Sequence, residues 1–148
     1  LQNFVDQYDF QNGSITDLLS KCIALYIKNS EVVKQENGFF DREIRNFTHD
    51  DRRILLASQA NIVTFFEDLL KKGIHNGEFN MHSPVLVAHN ILMMGNNWGE
   101  RRWFLRSRFS IDEYTTLQVE IILNGIRAQK RNNKRSECMN EKIERTIK

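Results

Sequence analysis

The chain has 148 residues, the length of one ordinary domain and enough to bury a core without disulfide or metal staples. Its 41% hydrophobic and 27% charged residues exclude a disordered chain, and one proline with seven glycines leaves too few turn residues for an all-β fold. The net charge of +2 is uneven: residues 127–148 carry eight Lys/Arg against three Glu, and residues 1–126 carry thirteen Lys/Arg against sixteen Asp/Glu.

An all-α fold is therefore expected, built of five to six helices. The mildly acidic body is a poor match for a phosphate backbone, which disfavours direct nucleic-acid binding by it. No apolar run approaches the ~20 residues that span a bilayer, and Leu1-Gln2-Asn3-Phe4-Val5-Asp6 reads as neither a signal nor a transit peptide. The expectation is a cytoplasmic protein without membrane contact. Cys22 and Cys138 lie far apart and match no metal or redox spacing.

Gln11-Asn12-Gly13-Ser14 is a turn cluster, and Ser14 can cap a helix that begins at Ile15. The apolar positions Ile15, Leu18, Leu19, Cys22, Ile23, Leu25, Tyr26 and Ile27 follow three-and-four spacing and run out at Asn29-Ser30. A shorter helix, Glu31 to about Ile44, is expected next, with Phe39 and Phe40 and a kink or break at Asn37-Gly38. Thr48 followed by Asp50 and Asp51 starts a long helix that ends at Asn76-Gly77, with Phe65, Phe66, Leu69 and Leu70 among its core candidates. Ser83-Pro84 starts another, expected to run to about Leu105 and apolar on more than one side. Ser110-Ile111-Asp112-Glu113 is a capping box, opening a last helix with Tyr114, Leu117, Ile121, Ile122 and Ile126 on its core face. The domain so outlined spans 15–127, preceded by a connecting remnant at 1–14 and followed by a basic, flexible tail at 128–148.

No constellation points to catalysis. His75, His82 and His89 are seven apart with Gly77 and Pro84 between them, unlike helical metal-ligand pairs, which need three or four residues. Paired carboxylates, a Ser/His/Asp set and a glycine-rich phosphate loop cannot be argued from spacing, so neither an enzyme nor a cofactor nor a metal site is expected. Gly95 and Gly99, one turn apart, form a surface on which another helix can approach closely. Asn90, Met93, Met94, Asn97 and Arg101 share a side of the same helix, so amide and guanidinium donors adjoin an apolar wall. That composition suits an apolar ligand with a polar end, although methionine and aromatic stripes more commonly form core.

Glu67-Asp68-Leu69-Leu70-Lys71-Lys72-Gly73-Ile74-His75-Asn76-Gly77-Glu78-Phe79, the Pro84 helix ending in Trp98 and Arg101-Arg102-Trp103, Phe109-Ser110-Ile111-Asp112-Glu113-Tyr114 and Ile121-Ile122-Leu123-Asn124-Gly125-Ile126 together resemble the C-terminal regulatory domain of TetR/AcrR-family transcriptional repressors. The resemblance covers roughly residues 15–127. It implies a homodimer whose last two long helices form a four-helix interface, with Gly95, Gly99, Trp103, Tyr114, Leu117 and Ile121 in it. It also implies a ligand cavity in the preceding helices, for which Phe40, Phe66, Met93, Asn97, Trp98 and Arg101 are the expected lining, Arg101 pairing with any acidic group on the ligand. The Arg102-Trp103 and capping-box region resembles members that answer to lipophilic ligands such as acyl-CoA thioesters. The family's helix-turn-helix has no counterpart before Ser14, so DNA contact is expected only through an N-terminal domain absent from this sequence.

Two other readings of the residues stay open. One is a helical dimerisation or protein-interaction module with no small-molecule ligand, in which the aromatics simply pack. The other, an all-α enzyme on a hydrophobic substrate, would need buried ionisable groups converging in a cavity.

Overall fold

In the computed structural model, residues 13–36 and 48–128 are described. They form five helices: α1 (Ile15–Glu36), α2 (His49–His75), α3 (Pro84–Glu100), the single turn α4 (Arg102–Leu105) and α5 (Ile111–Ile126). The fold is all-α, as expected. The starts follow the sequence signals. Thr48 and Ser110 each make a capping box, with Asp51 and Glu113 at the third helical position, and Ser83 caps α3 ahead of Pro84. The turn after α2 uses Gly77 at φ 73°, a left-handed conformation that glycine adopts without steric cost.

Two boundaries differ from expectation. Helix α1 does not stop at Asn29-Ser30 but continues to Glu36. The Ser30 hydroxyl donates back to the Tyr26 carbonyl (2.8 Å) instead of capping a new helix, and Glu31 pairs with Arg106 (2.5 Å) across the bundle. Of the second helix expected to about Ile44, the part beyond Glu36, including Phe40, lies outside the described residues, as do residues 129–148 of the tail. The helix expected from Pro84 to about Leu105 ends at Glu100. Arg101 leaves helical geometry (φ −102°, ψ 27°) while its N–H still bonds the Asn97 carbonyl, and α4 follows as a separate turn.

The core is one apolar cluster into which α1 contributes Leu18, Leu19, Cys22, Ile23 and Ile27, α2 Phe66, Leu69 and Leu70, α3 Ala88, Ile91 and Trp98, and α5 Ile122, Leu123 and Ile126. The first half of α2 stands outside it, with Ile54 and Leu56 exposed. Helix α1 packs broadly on both α3 and α5, whereas α3 and α5 approach each other little. Helices α1 and α3 cross closely at Gly95 of α3, where an added Cβ would lie 2.5 Å from Tyr26 Cε1 and 2.9 Å from Ser30 Oγ. The Tyr26 hydroxyl crosses the same junction and donates to the Leu92 carbonyl.

Glu78 joins the other end of the bundle. Its Oε1 accepts from the Ile15 amide (2.9 Å), and its Oε2 from the Thr16 amide (2.9 Å) and hydroxyl (2.8 Å), so a carboxylate from the α2–α3 connection caps α1 and meets the positive end of its dipole. Its backbone carbonyl accepts from Ala128, and Asn80 donates to Ile126, which secures the end of α5 to the same turn. Burial alone would push the Glu78 carboxyl up, but hydrogen bonds from Thr16, Ile15 and Asn76 outweigh it and hold the group below its ordinary value. A carboxyl depressed in the folded state stabilises the fold above its unfolded-state value and loses that contribution as pH falls through the folded one. Glu78→Gln should therefore cost on the order of 1 kcal/mol near neutral pH, about 3 °C in Tm. The difference from wild type in thermal melts should shrink as pH falls below about 4; a pH-independent difference would remove the charged cap from the account.

Candidate functional site

Because α1 lies behind α3 and α5 and holds them apart, the front of this pair carries a groove of about 420 Å³. Helix α3 lines it with Asn90, Met93, Met94, Asn96, Asn97 and Glu100, and α5 with Tyr114, Gln118, Ile121 and Ile122. On α5 these are the i, i+4, i+7 and i+8 positions, one stripe of a helix. Apolar side chains stand exposed along this front: Met93 is 40% accessible, Leu117 45% and Ile121 61%.

Tyr114 makes the floor. Its hydroxyl donates to the Met94 carbonyl (2.9 Å) and is reached by the side chains of Asn97 on α3 and Gln118 on α5. Burial pushes the phenol up, and the two amide contacts partly offset this, so Tyr114 stays a neutral donor throughout the physiological range. Behind it, the Tyr114 ring packs on Trp98 with centroids 4.9 Å apart, and the Arg106 guanidinium lies 5.9 Å from the indole centroid on the arm that carries the Glu31 ion pair. Lys28–Asp112 (2.7 Å), an exposed pair, joins α1 to the start of α5. The Trp98 indole N–H and the Thr115 hydroxyl are buried with no hydrogen-bond partner among the described residues.

The residues singled out from sequence fall into distinct places. Met93 and Asn97 meet in the groove. Phe66 and Trp98 are fully packed core, Phe66 edge-on to Tyr26 (5.8 Å) and to Phe65 (5.2 Å). Arg101 is exposed at the end of α3 and does not line the groove, so it is not brought together with Met93 and Asn97 around a common space. Phe40 lies outside the described residues. Of the positions expected at a subunit contact, Leu117 and Ile121 are exposed on the front of α5, Tyr114 is the groove floor, Gly99 is half-buried, and Trp103 is 76% exposed on α4 against Phe104. Gly95 requires a correction. It is buried against Tyr26 and Ser30, so the close helix approach it permits is between α1 and α3 of one chain.

The family model described as tetracyclin repressor-like, C-terminal domain, matches residues 12–126. The chain belongs to this family. That makes it the effector-binding and dimerisation type of domain of a transcription regulator, a regulatory rather than a catalytic class. No curated protein and no solved structure gives a significant match. Among the described residues of this tetracyclin repressor-like domain, no helix is long and apolar enough to cross a membrane, and no His/Cys/Asp/Glu group could hold a metal ion.

Spacing did not reveal Gln118, Asn96 or Glu100 as groove residues. Gln118 was legible as the i+4 neighbour of Tyr114, but its place opposite Asn97 depends on how α1 seats α3 and α5. The Gly95 crossing supplies a direct test. Gly95→Leu should lower Tm by several degrees, through overpacking of about 1–3 kcal/mol, and do so independently of protein concentration. Concentration-dependent destabilisation would instead place Gly95 between subunits.

Proposed function

We propose that this domain is the effector-sensing and dimerisation part of a TetR-like repressor, which binds a small lipophilic ligand of acyl type. Through its dimer it controls DNA binding. Two copies join through the α3/α5 front, and the uncovered Met93, Leu117 and Ile121 support this half of the reading. The ligand side rests on the Trp98 indole and on Arg101. Ligand binding favours one arrangement of the two subunits over another by its differential affinity, which is the free energy available to change operator affinity.

The observation that carries the sensing role is the Trp98 indole N–H, a donor buried to 1% exposure with no acceptor among the described residues. Leaving such a donor unpaired costs about 1–3 kcal/mol, and an acyl carbonyl is an acceptor that would recover it. Arg101, exposed at the end of α3, is free to meet an acidic group at the ligand's polar end.

A module that dimerises without any small ligand is the second reading. The close packing of Phe66 and Trp98 favours it. Native mass spectrometry and thermal shift with a fatty acyl thioester panel separate the two. The sensing reading expects a retained or added lipophilic mass and a higher Tm with ligand, since a ligand bound only to the folded state must stabilise it. Trp98→Phe should abolish most of that shift while leaving a folded protein, and Arg101→Ala should weaken binding of acidic ligands by about tenfold or more. No stabilisation by any member of the panel would favour the ligand-free module.

A further inference from the structure

The polar groups of the α3/α5 groove are of an unusual kind. Four of its ten lining residues are amides, Asn90, Asn96, Asn97 and Gln118, and one, Glu100, is acidic. Two of the amides come from different helices and reach the same hydroxyl, that of Tyr114, whose own proton is committed to the Met94 carbonyl. Asn97 and Gln118 thus line the groove from both helices beside one hydroxyl, and each amide keeps further donor and acceptor capacity for an incoming group.

What such a surface recognises follows from symmetry. In a two-fold dimer the same patch meets itself, so groups near the axis must be compatible with their own copies. Like charges repel there. Amides do not, because each carries both a donor and an acceptor and can pair with an identical amide. Around them Met93, Leu117 and Ile121 provide apolar area that slides without preference from one register to another, whereas a buried amide left unpaired by a slipped register is penalised. Polar residues in an otherwise apolar helical interface fix register and partner number in this way, at some cost in stability.

We propose that Asn97 and Gln118, positioned across the groove by the Tyr114 hydroxyl, fix the register in which a second copy of this chain docks on the α3/α5 front. This rests on the reading of that front as the subunit interface. The amides act as specificity determinants within it, selecting one two-fold arrangement among those that the apolar rim alone would allow. Tyr114 is a positioning residue, since it orients both amides without itself reaching the outer surface of the groove.

Pulsed dipolar spectroscopy on spin-labelled Thr116→Cys tests this in a Cys138→Ser background, Cys22 being buried. The unmodified interface should give a single narrow inter-label distance distribution. Asn97→Leu/Gln118→Leu should still dimerise, with self-association as tight or tighter, but with a distribution broadened or split into several registers. Tyr114→Phe, which removes one oxygen and keeps the ring on Trp98, should broaden it in the same direction and serves if the double variant does not fold. A distribution that stays single and narrow in a folded variant overturns the register role while leaving the dimer intact. A protein that gives no inter-label distance and sediments as a monomer before either amide is changed overturns the interface and this proposal with it.

Discussion

The crossing of α3 over α1 at Gly95 is the constraint on which the rest of the molecule depends. With no side chain at that position, the Tyr26 ring fits against the α3 backbone and its hydroxyl bonds the Leu92 carbonyl. Helix α1 is thereby seated behind both α3 and α5, where its Leu18, Leu19, Cys22, Ile23 and Ile27 are removed from water. Direct contact between α3 and α5 is slight and includes Tyr114 of α5 against Trp98 and the Met94 carbonyl of α3. The groove in front, and the apolar residues beside it, follow from that arrangement.

Polar links then secure both ends of the bundle. At one end the Glu78 carboxylate caps α1 while its backbone holds the end of α5, so the start of the first helix and the end of the last are fixed to one residue. At the other, Glu31–Arg106 and Lys28–Asp112 tie α1 to the connection before α5 and to its first turn. Exposed pairs such as Lys28–Asp112 contribute little to stability, and their value here is geometric. The Glu78 cap differs because three donors converge on one partly buried carboxylate.

Much of this was legible in the sequence wherever a local rule decides the outcome. Ser83-Pro84, Thr48 with Asp51 and Ser110 with Glu113 mark three helix starts because the capping chemistry lies within four residues of chain. The family resemblance was carried by longer motifs in a fixed order, and the family match covers nearly the same span. Local signals failed where distant partners decide. Asn29-Ser30 looks like an ending until Tyr26 and Arg106 are in place, Glu78 is an ordinary acidic residue until α1 arrives 62 positions away, and Gly95 looks as suited to a subunit contact as to an internal one. The stripe Asn90, Met93, Met94, Asn97 was readable from helical spacing, and its partners on α5 were not, because no sequence rule specifies the distance between two helices wedged apart by a third.

In the proposed function the α3/α5 front receives a second copy, and a ligand is sensed close behind it at Trp98. The Trp98–Tyr114 stack connects them, since the ring that makes the groove floor rests on the indole whose N–H has no partner among the described residues. A change in how Trp98 is held would therefore be felt by Asn97 and Gln118 through one side chain. The central claim is that two copies meet on the α3/α5 front, and sedimentation equilibrium of the wild type beside Ile121→Glu tests it most directly. Ile121 is 61% exposed, so a carboxylate there leaves the core untouched. The account predicts a wild-type dimer and a folded, monomeric variant; a wild-type monomer, or a variant that dimerises undiminished, would contradict it.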